Sequence, residues 1–350
     1  PPRSTLFPYT TLFRSQALRL RWDERLARLA AWIMVLYPDA ILFGASQMRE
    51  PMLIGLMCIT FWGVLAWGKQ RRWALAAILT SLILTFLLSS MVAATLVIML
   101  GIIFWFEYIA PISPLWKRLG QIGLVLGALL SVFLFGQWLS SAANWDILLA
   151  QRQSGWVAKI IEEAGVRFKL PIITIYGLVQ PVLPAALADI DTRPVWYIIA
   201  VLRATGWYLL APLVLYSVFA LWSHRDVKNK SMLVWISLFV IIWCIIAAVR
   251  AGGDQWDNPR YRVIFIPWLA LLAAWGVDWA LKKRDAWLIR WILIEFIFLG
   301  FFTNWYFSRY LHWWNRLSFW DNIAWIVGLS LLVLCSGWLW PLLQRLWQKK

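Results

Sequence analysis

The chain is a succession of long apolar runs separated by short polar breaks, and within most runs the apolar residues are continuous rather than alternating. Such runs, charged only near their ends, mark helices that cross a membrane, whose hydrocarbon core takes about 20 residues at about 1.5 Å each. In order they are Ala31–Gln47, interrupted by Pro38 and Asp39, then Met52–Trp67, Trp73–Leu88, Met91–Phe106 and Gly123–Trp138. After a gap come Val195–Trp222, Met232–Val249, Val263–Leu281, Trp287–Phe302 and Ile323–Leu343. Ser89 and Ser90 divide two of them into a tight hairpin, and the spacing Gly123/Gly127 permits close approach of another helix. The pattern predicts an all-α, polytopic transmembrane bundle of about ten spans.

The gap, Leu139–Pro194, has a different pattern. Trp156, Val157, Ile160, Ile161 and Ala164 fall on one helical face, with Lys159, Glu162 and Glu163 elsewhere, which predicts an amphipathic helix lying on the membrane interface. The following LPIITIYGLVQPVLPAAL is apolar but carries Pro171, Pro181 and Pro184, so it reads as a re-entrant or surface segment. Residues 139–194 are therefore expected to form one long extracytoplasmic loop inside a single transmembrane domain, 16–343, with a basic tail at 344–350.

Composition removes the soluble alternative: 62% of residues are hydrophobic and 14% charged, against about a quarter charged in soluble chains. The 29 Trp suit many helix ends at two headgroup layers. The net charge of +16 does not point to nucleic acid, because the basic residues sit in short clusters between apolar runs. They orient the chain instead. With Lys69 inside, alternation of the spans places Lys117, Lys228, Lys230, Lys282, Lys283, Lys349 and Lys350 inside as well, and only Lys159 and Lys169 outside. This predicts an integral protein of the bacterial cytoplasmic membrane with its C terminus in the cytoplasm. Arginine departs from the bias: Arg49, Arg250, Arg260, Arg262, Arg309 and Arg316 all fall outside, a sign of chemistry on that surface.

Phosphate-loop, dinucleotide, zinc-protease and serine-hydrolase motifs are absent. Cys58, Cys244 and Cys335 each lie in an apolar run and are expected as free thiols, and two histidines without a cysteine pair give no metal site. The remaining candidates are ionisable and aromatic groups near the outer ends of spans. Arg49 and Glu50, in SQMREP, read either as a solvated turn opening the next helix or as a guanidinium facing a lipid phosphate. Arg203, inside a span, either snorkels to the interface or faces a polar cavity shared with Trp207 and Tyr208. Asp254, Asp257, Arg260, Tyr261 and Arg262 are either salt bridges holding a loop or an anion site at a helix start, with an aspartate orienting an acceptor. Asp39 reads as a cap for a broken helix, and Glu295 as a paired or cavity-facing group.

YPDAILFGASQMREPMLIGLM and NPRYRVIFIPWLALLAAWGVDWAL, with the order of apolar runs over about Ala31–Leu281, resemble the GT-C superfamily of polytopic glycosyltransferases, most of all its family 39 and RgtA/B/C/D-like members. The resemblance implies transfer of a sugar from a polyprenyl-phosphate donor to an extracytoplasmic lipid, glycan or protein. It implies donor-phosphate contacts at Arg49, Arg260 and Arg262, and cavity or acceptor contacts at Glu50, Arg203, Tyr208, Asp254, Asp257 and Tyr261. The catalytic acid of such enzymes lies in the first extracytoplasmic loop, which here would precede Gln16. Ser4–Ser15, STLFPYTTLFRS, resembles the translation of a sequencing adapter, so residues 1–15 are set aside and the natural start is expected upstream. No catalytic residue is therefore assigned, and the chain as it stands is expected to be inactive. No cofactor is fixed, a divalent cation being the one candidate, and the oligomeric state is open. Two other classes stay open: a polymerase or ligase of lipid-linked oligosaccharide, and a non-enzymatic transporter or lipid-binding protein. Against a transporter stands the lack of an internal repeat.

Overall fold

The computed structural model describes residues 17–153, 155–314 and 316–347; the adapter-like segment, Gln16, Lys349 and Lys350 lie outside them. Every regular element among the described residues is helical. The helices are α1 (Glu24–Leu36), α2 (Pro38–Gly44), α3 (Glu50–Ala66), α4 (Arg71–Leu88), α5 (Ser90–Phe104), α6 (Pro114–Gln153), α7 (Gly155–Ala164) and α8 (Lys169–Val179). They continue with α9 (Leu183–Ala188), α10 (Pro194–Ser223), α11 (Lys230–Arg250), α12 (Asp257–Val263), α13 (Ile266–Lys283), α14 (Trp287–Tyr310) and α15 (Phe319–Trp347).

Among the described residues six helices are long and apolar enough to cross a membrane, and up to eight spans result if the bent pairs α1/α2 and α12/α13 each count once. Many of their large apolar side chains face outward, among them Ile83, Phe86 and Leu87 on α4 and Leu209 and Trp222 on α10. Water would penalise such surfaces and lipid does not. The chain is an integral membrane protein.

Two of the ten predicted runs stand outside that count. Met52–Trp67 becomes α3, whose 17 residues reach about 25 Å, the short end of what crosses the core. Gly123–Trp138 is absorbed into α6, whose 40 residues continue through Leu139 to Gln153 where a loop was expected. A helix of that length, about 60 Å, extends well past one bilayer core.

The local breaks follow the sequence. Pro38 lacks an N–H and opens α2, so the chain turns by 65° after extended Tyr37. Ser89 alone, in an extended conformation, reverses α4 into α5. α9 has 6 residues and α8 has 11, about 16 Å, so the proline-rich segment does not span as one helix. On the amphipathic face of α7, Val157 and Ile161 are buried against Ile147 of α6 and Ile173 of α8, while Trp156 and Ile160 stay partly exposed. Gly123 and Gly127 approach nothing, since a Cβ at either would meet no atom within 4 Å.

The helices sort into two compact units. The first holds residues 1–180 and 221–271; in it α3 pairs with α4, α4 with α5, α11 packs on α6 and α8, and α12 lies against α2 and α3. Its core includes Phe61 against Trp268 and Trp243 against Phe265, with ring centroids 4.3 and 4.7 Å apart. The second unit holds residues 181–220 and 272–350, with α14 packed on α9 and α15. There Ser217 donates to the Leu272 carbonyl at 2.6 Å, and the Tyr216 hydroxyl donates to Asp285 at 2.8 Å. All three cysteines are free.

Candidate functional site

The first unit gathers most of the charged candidates around the start of α3 and the whole of α12. Glu50 is the first residue of α3, with Pro51 in the first helical turn, so the segment SQMREP does open a helix as read. Gln47, Met48 and Arg49 in the turn before it are exposed, while Glu50 itself is only 1% exposed. The Glu50 Oε1 oxygen lies 3.3 Å from Arg260 Nε and 3.8 Å from Arg49 Nε, while Oε2 is buried with no hydrogen-bond partner. Arg49 is half exposed. An unpartnered buried carboxylate oxygen is costly unless a ligand group satisfies it.

α12 is set up by Asp254. Its Oδ1 accepts hydrogen bonds from the backbone N–H of Trp256 at 2.7 Å and of Asp257 at 2.9 Å, turning the chain into the helix. One helical face then carries Asp257 and Arg260, paired at 3.3 Å across one turn, with the Arg260 guanidinium 5.3 Å from the centre of the Tyr261 ring. The Tyr261 carbonyl accepts from Trp243 Nε1 at 2.9 Å.

The opposite face carries Asn258 and Arg262, four residues apart and both buried. Asn258 donates to the Gly177 carbonyl at 2.9 Å, and Arg262 donates to the carbonyls of Leu178, at 3.3 Å, and of Gln180. These carbonyls lie at and just beyond the C-terminal end of α8, where the Gly177 carbonyl also accepts from the Gln180 N–H at 3.3 Å. Gln180 in turn donates to the Gly252 carbonyl at 3.0 Å. The close seat of α8 on α11 requires Gly177, where a Cβ would stand 2.7 Å from the Ala248 carbonyl oxygen. Arg262, expected beside Arg260 on a phosphate, is thus turned inward to cap α8, and the outward cations are Arg49 and Arg260.

Asp39 belongs to the same neighbourhood. It is fully buried in the first turn of α2, which packs on α12, and the Tyr37 hydroxyl donates to it at 3.4 Å. Its proximity to α12 depends on a contact between segments more than two hundred residues apart, which no local pattern announces. Gln180 and Asn258 were also missed; NPRYR, in which Asn258 stands, was the only signal. Arg203 and Tyr208 lie on α10 in the second unit, both buried, with Tyr208 stacked on Phe298 at 5.9 Å. Glu295 is on α14 in that unit, its Oε1 buried and unpartnered.

A divalent cation finds no ligand set here. Among the described residues no three His, Cys, Asp or Glu side chains stand together where they could hold one, and Glu50 and Asp257 both turn oxygens to Arg260. What the four charges can do is hold an anion at Arg49 and Arg260 while Glu50 accepts a hydrogen bond at its open oxygen. Comparison with family models, with curated proteins and with solved structures finds no match to this chain.

Proposed function

We propose that the protein is a polytopic membrane glycosyltransferase of GT-C type, with about ten spans, that moves a sugar from a polyprenyl-phosphate donor to a hydroxyl acceptor. The acceptor is a lipid, glycan or protein on the extracytoplasmic side. The membrane is the bacterial cytoplasmic membrane, and the C terminus is cytoplasmic. The observation that carries this reading is the buried Glu50 carboxylate, with one oxygen toward Arg260 and the other unpartnered, at the head of an apolar helix.

In this reading Arg49 and Arg260 bind the lipid phosphate, and their charge stabilises it as it departs from the anomeric carbon. Glu50 Oε2, rather than an acid upstream of Gln16, accepts the acceptor hydroxyl's hydrogen bond and draws off its proton as the new C–O bond forms, so this reading departs from the expectation of an inactive chain. Asp257 competes with the phosphate for Arg260, so donor binding frees Asp257 toward solvent. Asp254 shapes the turn and takes no part in the transfer.

The test uses the full chain in vesicles with radiolabelled polyprenyl-phosphate sugars. Transfer to an acceptor, lost in Glu50→Gln while the protein remains monodisperse, supports the reading. Absence of transfer with every donor, together with measurable solute flux, replaces it with a transporter.

A further inference from the structure

The hairpin of α3 and α4 carries an open groove of about 510 Å³. One wall is Ile59 and Trp62 of α3; the other is Trp73, Ala76, Ala77 and Thr80, which recur at helical spacing on α4; Gln70 closes one end. The groove exists because the two helices are pinned close together behind it. A Cβ on Gly63 would stand 2.7 Å from Ile78 Cγ1, and the hydroxyls of Thr60 and Ser81 are 2.7 Å apart. The alanines then leave space between two tryptophans. From Gln70 to Thr80 the helix rises about 15 Å, half of the roughly 30 Å hydrocarbon core and so the depth of one leaflet.

The end closed by Gln70 is strongly basic. Lys69, Arg71 and Arg72 are all exposed, Ala66–Thr80 contains no Asp or Glu, and among the described residues none of the three cations is paired with a carboxylate. Arg71 lies 5.3 Å from the centre of the Trp67 ring, which holds it at the level of the groove mouth. No side chain caps the start of α4, so its first N–H groups add positive potential there. A slot of acyl-chain depth that ends in three cations fits one ligand chemistry.

We infer that this groove binds a single anionic phospholipid, one acyl chain lying between Trp62 and Trp73 and the headgroup phosphate held by Lys69, Arg71 and Arg72. The site is at the opposite end of α3 from Glu50, about 24 Å along the helix, and does not depend on the proposed transfer reaction.

The full chain in neutral detergent, titrated with dioleoyl phosphatidylglycerol or dioleoyl phosphatidylcholine and read by native mass spectrometry, tests it. The first phosphatidylglycerol should be retained about tenfold more tightly than phosphatidylcholine. Arg71→Gln with Arg72→Gln should reduce that preference to parity, and the lysine pair Arg71→Lys with Arg72→Lys, which keeps the charge and guards against misfolding, should restore most of it. Ala76→Trp, which fills the slot and leaves the cations, should remove tight retention. Equal retention of both lipids by the unaltered protein overturns the inference, as does an unchanged preference in the glutamine pair. So does loss of the preference to millimolar inorganic phosphate with no effect of Ala76→Trp, which would mark a free-anion site, or a stable dimer that covers the groove.

Discussion

Arg260 Nε stands 3.3 Å from Glu50 Oε1, tying α12 to the first turn of α3. The two residues are separated by most of the first unit's sequence, and the pair leaves Glu50 Oε2 buried and unpartnered. Replacing Glu50 by glutamine keeps the shape, removes a desolvated charge and leaves Arg260 with Asp257 at 3.3 Å. The gain and the loss offset, so stability should change by about 1 kcal/mol or less. Transfer should nevertheless fall about 100-fold or more. A thermal unfolding midpoint in detergent and a donor-turnover assay on the same preparation check both halves; a glutamine variant that transfers normally removes Glu50 from the reaction.

Arg262 should behave in the opposite way. Its guanidinium serves two backbone carbonyls at once, those of Leu178 and Gln180, so Arg262→Ala strands buried acceptors and opens a cavity. The expected cost is about 3 kcal/mol or more. Lysine, a single ammonium without the planar fork, should recover little of it. Yield and thermal midpoint report the loss, and protease susceptibility between α8 and α9 should rise. A donor-binding residue would instead lose affinity with its midpoint unmoved.

Asp254 separates a turn-forming aspartate from a reacting one. Because its work is to accept two backbone N–H bonds, Asp254→Asn should retain both stability and transfer. Asp254→Ala should cost about 1 kcal/mol through the two lost turn hydrogen bonds. Unfolding midpoints of the two variants decide it, and inactivity of the asparagine variant at unchanged stability would return Asp254 to the chemistry.

The elements that depend on nearest neighbours were legible in the sequence. Pro38 breaks α1 from α2, Ser89 alone turns α4 into α5, and Pro51 starts α3. What was not legible depends on which partner an ambiguous side chain finds. Arg260 and Arg262 look alike in NPRYR, yet helical periodicity puts them on different faces, one toward Glu50 and the other toward the end of α8. The apolar face of α7 suits an interface, and no local pattern says that α6 and α8 bury Val157 and Ile161 on it. Leu139–Gln153 lies beyond the apolar run that ends at Trp138, yet a helix held by its own hydrogen bonds continues through it.

The direction in which the chain sits can be tested without any substrate. Lys159 and Lys282 have exposed side chains, and the alternation of apolar runs assigns them to opposite faces. An amine-reactive reagent that cannot cross membranes, applied to intact spheroplasts, should tag Lys159 and spare Lys282; lysed membranes should show both tagged. Lys282 is held 2.6 Å from Asp278, which slows but does not prevent its reaction, so the lysed sample calibrates it. The same orientation puts Glu50 and Arg260 on the outer surface and Lys69, Arg71 and Arg72 on the inner one, because each set lies at a different end of α3. Labelling of Lys282 alone from outside would place Glu50 in the cytoplasm, where no extracytoplasmic acceptor reaches it. The glycosyltransferase reading would fall with it, while the lipid groove, defined by shape and charge rather than by side, would stand.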